Sequence, residues 1–79
     1  MKSSEIVGKR LRVIVNEEPC HVVMDGCERL TATIEGTAER FFGMPGGPIG
    51  VVRRDDGSRV SFDAGFDIKL GKIELELLD

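Results

Sequence analysis

The stretch IGVVRRDDGSRVSFDA, residues 49–64, decides the fold class. Two strand-like runs, 49–54 and 58–64, flank Asp55-Asp56-Gly57, which has the composition of a three-residue hairpin loop with its glycine in the left-handed conformation of a G1 bulge. In that register Val52 faces Val60 and Arg53 faces Arg59. A like-charged cross-strand pair is mildly destabilising, so Asp55, Asp56 or a neighbouring strand is expected to compensate it.

Working outward, CHVVM at 20–24 and CERLTATIE at 27–35 flank Asp25-Gly26, the two-residue signature of a type I′ hairpin, in which both central residues need φ > 0. The expected register sets Met24 opposite Cys27, Val23 opposite Glu28 and His21 opposite Leu30, with Val23, Leu30, Ala32 and Ile34 facing inward. Upstream, KRLRVIV at 9–15 alternates Leu11, Val13 and Val15 with Arg10, Arg12 and Ile14 and stops at Asn16-Glu17-Glu18-Pro19. That is a half-buried strand followed by a turn. KIELELLD at 72–79 alternates Ile73, Leu75 and Leu77 inward with Lys72, Glu74 and Glu76 outward.

Between the hairpins, TAERFF at 37–42 is framed by Thr37 as N-cap and Gly43 as C′, which predicts a short helix; the alternative is a bulge at Gly36 that lets the strand continue. Met44 to Pro48, with two prolines and two glycines, is expected to be a loop. The sum is a mainly β chain. About six short strands in hairpins, with one short helix near 37–42, predict a small antiparallel barrel or sandwich, since closure removes exposed edges.

A length of 79 residues fits a single domain, 1–79. Hydrophobic residues at 41% and charged residues at 32% describe a chain that folds rather than one that stays disordered. Four phenylalanines are the only aromatics, and the formal charge is −3. Both features weigh against direct nucleic-acid binding, which uses stacking rings and basic surface. No apolar run approaches the roughly 20 residues of a membrane span, and Met1 to Glu5 lacks a secretory apolar stretch, so the expected location is cytoplasmic with reduced cysteines.

Cys20, His21 and Cys27 are the soft-ligand candidates. A structural zinc site takes four ligands in two close pairs, whereas Cys20 and His21, adjacent on an extended strand, point to opposite faces. The same geometry keeps His21 from acting as base for a Cys20 nucleophile. Glu17-Glu18 and Asp55-Asp56 read as solvated turns rather than acid–base pairs. The glycine-rich run 44–50 lacks the lysine and hydroxyl residue of a phosphate loop. No catalytic residue, metal or cofactor is expected.

From residue 55 onward, seven acidic side chains stand against three basic ones. Asp55, Asp56, Asp63, Asp67, Glu74 and Glu76 are the candidate partner-binding residues, forming a row of carboxylates that could meet a basic, nucleic-acid-binding protein surface. Small acidic single-domain proteins of phages and mobile elements, among them inhibitors of CRISPR complexes, share this size and charge. The expected function is therefore a non-enzymatic protein-binding inhibitor, with nucleic-acid mimicry as one mode. Two other readings are a small-barrel RNA or DNA module using Arg10, Arg12, Arg53, Arg54 and Arg59, and an assembly component joined through edge strands.

Overall fold

The computed structural model describes residues 6–20, 23–44 and 47–78. Six strands and one helical turn follow in the order β1 (Arg10–Val15), β2 (Glu28–Arg29), β3 (Ile34–Met44), β4 (Gly47–Arg53), β5 (Arg59–Asp63), α1 (Phe66–Lys69) and β6 (Ile73–Leu77). They form one sheet, ordered β2-β5-β4-β3-β1-β6. All neighbours are antiparallel except β2 and β5, which run parallel. The sheet is therefore mixed rather than purely antiparallel, and it does not close: β2 and β6 are its edges.

The β4–β5 hairpin forms in the expected register, with Val52 opposite Val60 and Arg53 opposite Arg59. Gly57 has φ +91°, its N–H donates to the Arg54 carbonyl at 2.9 Å, and the Arg54 N–H donates to the Ser58 carbonyl at 2.8 Å. Relief for the two arginines comes from β3, where Glu39 accepts from Arg59 Nε at 2.7 Å.

Residues 37–42 are strand, not helix. Thr37 is held on both sides, opposite Arg10 of β1 and Arg53 of β4, so ladder bonds that no short helix could replace fix the extended backbone. The register slips between Ala38 and Arg40, leaving Glu39 as the extra residue of a bulge. Gly47 and Pro48, expected in the loop, open β4 opposite Met44 and Gly43; Pro45 and Gly46 lie outside the described residues.

The Asp25-Gly26 turn exists without its hairpin. Cys27 N–H donates to the Met24 carbonyl at 2.9 Å and Gly26 has φ +82°, yet no described non-glycine residue has positive φ. Positive φ at the second central position alone is a type II turn, whose twist splays the flanking strands. Met24 N–H goes instead to Ser61 Oγ at 3.1 Å, and Glu28 and Arg29 pair with Val60 and Ser61. Val23 and Ala32, expected inward, are exposed, while Leu30 is buried and Ile34 packs against the core. His21 lies outside the described residues.

One core gathers Leu11 and Val13 of β1, Ala38 of β3, Val52 of β4, Val60 and Phe62 of β5, Ile73 of β6, and Ile6 and Leu30 from flanking segments. Side chains from both halves of the sheet meet in it, so the inner face curves around a single cluster. Leu77, expected inward, is 38% exposed because it lies at the end of an edge strand.

Candidate functional site

The six acidic candidates do not line one face. Asp55 and Asp56 sit at the β4–β5 hairpin tip, Glu74 and Glu76 on the outer side of β6, and Asp63 and Asp67 are buried. Local chemistry accounts for the last two. Asp63 ends β5, and its Oδ1 accepts the N–H groups of Gly65 at 2.7 Å and Phe66 at 3.1 Å, closing an Asx-type turn that starts α1. That turn carries Asp67 inward to 0% exposure, where its Oδ2 accepts the Cys20 N–H at 2.9 Å. The loop after β1 is strapped alongside, because Asn16 and Glu17 both donate backbone N–H groups to the Lys72 carbonyl, at 2.8 and 3.2 Å.

Cys20 Sγ and one carboxylate oxygen each of Asp63 and Asp67 thereby lie within 4.8 Å of one another. Asp67 Oδ1 is buried and has no partner in hydrogen-bonding geometry. The Cys20 thiol is held above its ordinary pKa, first by the Asp67 carboxylate facing its S–H and then by desolvation, while Lys72 acts in the opposite direction. Weighed in sequence only beside His21 and Cys27, and set aside as a ligand or nucleophile there, Cys20 gave no expectation of this grouping. Asp63 and Asp67, 43 and 47 positions away in sequence and expected in the partner-binding row, carry only the Asx pattern at Asp63 as a signal of this grouping.

The surface charges are organised as pairs. Arg10 donates to both oxygens of Asp55, at 2.8 and 3.3 Å. Arg12 bridges Glu35 at 2.9 Å and Glu76 at 2.8 Å. Arg54 engages Glu28 and Ser58, and Arg59 engages Glu39. Four of the five arginines proposed for phosphate contact are thus already facing carboxylates. Arg53 is exposed on the same side of the sheet.

At β6 the ladder fixes what the edge presents. Leu78 N–H donates to the Arg10 carbonyl and Asn16 N–H to the Lys72 carbonyl. In this antiparallel register the backbone groups of residues 72, 74, 76 and 78 turn toward β1, and those of Ile73, Leu75 and Leu77 turn away from it. Among the described residues no strand covers that side.

Comparison with known proteins finds no matching family model, no similar curated protein and no similar solved structure.

A cleft of about 430 Å³ lies between residues 15–19 and 29–31. No helix among the described residues is long and apolar enough to cross a membrane.

Proposed function

We propose that this chain is a non-enzymatic binding domain that captures an extended, basic segment of a partner protein along the open edge of β6. The observation that carries the reading is the edge itself: outward N–H and C=O groups at Ile73, Leu75 and Leu77, with Glu74 and Glu76 exposed between them. An added antiparallel strand would make its ladder bonds to the three apolar positions. Its residues opposite Glu74 and Glu76 would then fall in non-hydrogen-bonded pairs, where side chains approach most closely, with Cα atoms about 4.5 Å apart. Lysine or arginine at those two positions, alternating with apolar residues, is the complementary sequence.

Charge selects against self-association at this edge. Two copies paired with full overlap, centred on Leu75, would set Glu74 against Glu76 twice, and opposed like charges destabilise a ladder. Glu76 already holds Arg12, yet Arg12 is shared with Glu35, so the group keeps a net negative charge that an incoming cation can offset. An inhibitor of a nucleic-acid-binding complex is one kind of protein that would use such a contact, because phosphate-binding proteins display basic segments. The acidic hairpin tip at Asp55 and Asp56 is not required for this contact.

The test is fluorescence anisotropy with a labelled peptide alternating lysine and valine, beside the same peptide N-methylated on the edge-facing amides. Saturable binding should be lost on N-methylation and weakened about tenfold or more in a Glu74→Lys/Glu76→Lys variant. Equal binding of the N-methylated peptide, or unchanged affinity in the charge-reversed protein, would overturn strand addition. A gel shift with wild-type protein and duplex DNA checks the rival class, and tight salt-sensitive binding there would replace this reading.

A further inference from the structure

We propose that Cys20, Asp63 and Asp67 form a binding site for one divalent transition-metal ion, zinc by its ligand chemistry. Three observations converge. The potential donor atoms lie within 4.8 Å of one another. Both carboxylates are buried, Asp67 completely and Asp63 to 8% exposure. Asp67 Oδ1 has no hydrogen-bond partner although it is shielded from water. Two neighbouring buried carboxylates with an unsatisfied oxygen cost free energy unless a cation offsets them.

The donor set selects among cations. One sulfur and two oxygens suit a borderline ion such as zinc, whereas magnesium and calcium take oxygen alone. Around a tetrahedral zinc, with bonds of about 2.0–2.3 Å, donor atoms stand roughly 3.4–3.7 Å apart. The observed spread needs a closure of about 1 Å, and Cys20, being exposed, is the side chain with room to make it. Asp63 is already oriented by the Gly65 and Phe66 N–H groups, and Asp67 by the Cys20 N–H, so supporting hydrogen bonds to two ligands are in place. On binding, the Cys20 S–H bond breaks, the proton leaves to solvent and the thiolate electron pair forms the S–metal bond. A fourth position stays open beside exposed Cys20, for water or a partner's side chain.

Cobalt titration of the full chain under a non-thiol reductant tests the site. Wild-type protein should saturate at one equivalent with a thiolate-to-cobalt charge-transfer band, displaced by zinc. Cys20→Ser should lose the band and Cys27→Ser should keep it. Asp67→Asn, which retains an acceptor for the Cys20 N–H, should bind about tenfold more weakly or worse. Excess zinc should raise the melting temperature of wild type and much less that of Asp67→Asn, with circular dichroism verifying that each variant is folded. No band in wild type, a band that survives Cys20→Ser, or equal zinc-induced shifts in wild type and Asp67→Asn would each overturn the assignment.

Discussion

Gly50 is flanked in register by Phe41 of β3 and Phe62 of β5, and adding one methyl group there tests the packing of the inner face. A Cβ at position 50 would lie 2.6 Å from Phe62 Cζ and 2.7 Å from Phe41 Cε1, whereas carbon atoms settle at about 3.5–4.0 Å. Both rings must therefore retreat, each by about 1 Å. Phe62 is 1% exposed and yields only by straining the core around it, whereas the half-buried Phe41 moves more readily. Its movement breaks the edge-to-face contact between the two rings, with centroids 5.9 Å apart and planes at 78°. Overpacking costs about 1–3 kcal/mol and the lost ring pair about 0.5–1.5 kcal/mol, while the stiffer unfolded chain returns about 0.4–1 kcal/mol. Gly50→Ala should therefore destabilise the protein by about 2 kcal/mol, lowering the melting temperature by roughly 8–16 °C for a domain of this size. Urea unfolding followed by circular dichroism measures it. Adding Phe41→Leu, which opens space beside position 50, should make the double variant more stable than the sum of the single effects by about 1 kcal/mol. An unchanged or raised midpoint in Gly50→Ala, or strict additivity in the double variant, would refute this account of the core.

Gly57→Val should cost about 1–2 kcal/mol, because φ +91° forces a β-branched residue into left-handed backbone; a denaturation midpoint equal to wild type would contradict the G1 geometry. Phe62→Ala should cost about 3–5 kcal/mol, comparable to the whole margin of a domain this small, and a variant retaining a cooperative thermal transition near the wild-type temperature would show that Phe62 does not anchor the core. Asp55 has its pKa lowered by its hydrogen bond to Arg10, so its contribution is fully present above the unfolded value of 3.8 and is lost as pH falls through the folded one. Urea midpoints of wild type and Asp55→Asn should differ slightly at neutral pH, converge in acid, and differ less in high salt, since the pair is exposed; a gap that widens toward acid would reverse the assigned sign.

Much of the candidate surface was legible in the sequence. The alternation of Glu74 and Glu76 with apolar residues on a strand could be read directly, because a strand's period of two assigns faces without tertiary information. That β6 is an edge could not be read, since strand order depends on which strands meet across long sequence separations. The metal grouping was hidden for a related reason: carboxylates look alike in sequence, whether a turn aims them at solvent or at a neighbouring loop. Asp63 turned inward because backbone N–H groups at Gly65 and Phe66 satisfy it, and it carried Asp67 with it.

Local chemistry determined the parts that closed on themselves. The Asp55-Asp56-Gly57 loop imposed its own register on β4 and β5, because its backbone geometry permits one pairing of the flanking residues. The apolar alternation of Leu11 and Val13 likewise fixed which face of β1 enters the core. Tertiary structure decided the rest. Thr37 to Phe42 became strand because β4 pairs along it and β1 adds a second partner at Thr37, supplying ladder bonds that outweigh a short helix's weak propensity. Asp25-Gly26 remained a turn without a hairpin, since the chain on either side of it bonds to β5 through Ser61 and Val60. A tight turn commits its flanks only when they have no better partners, and the identity of those partners is a property of the whole fold.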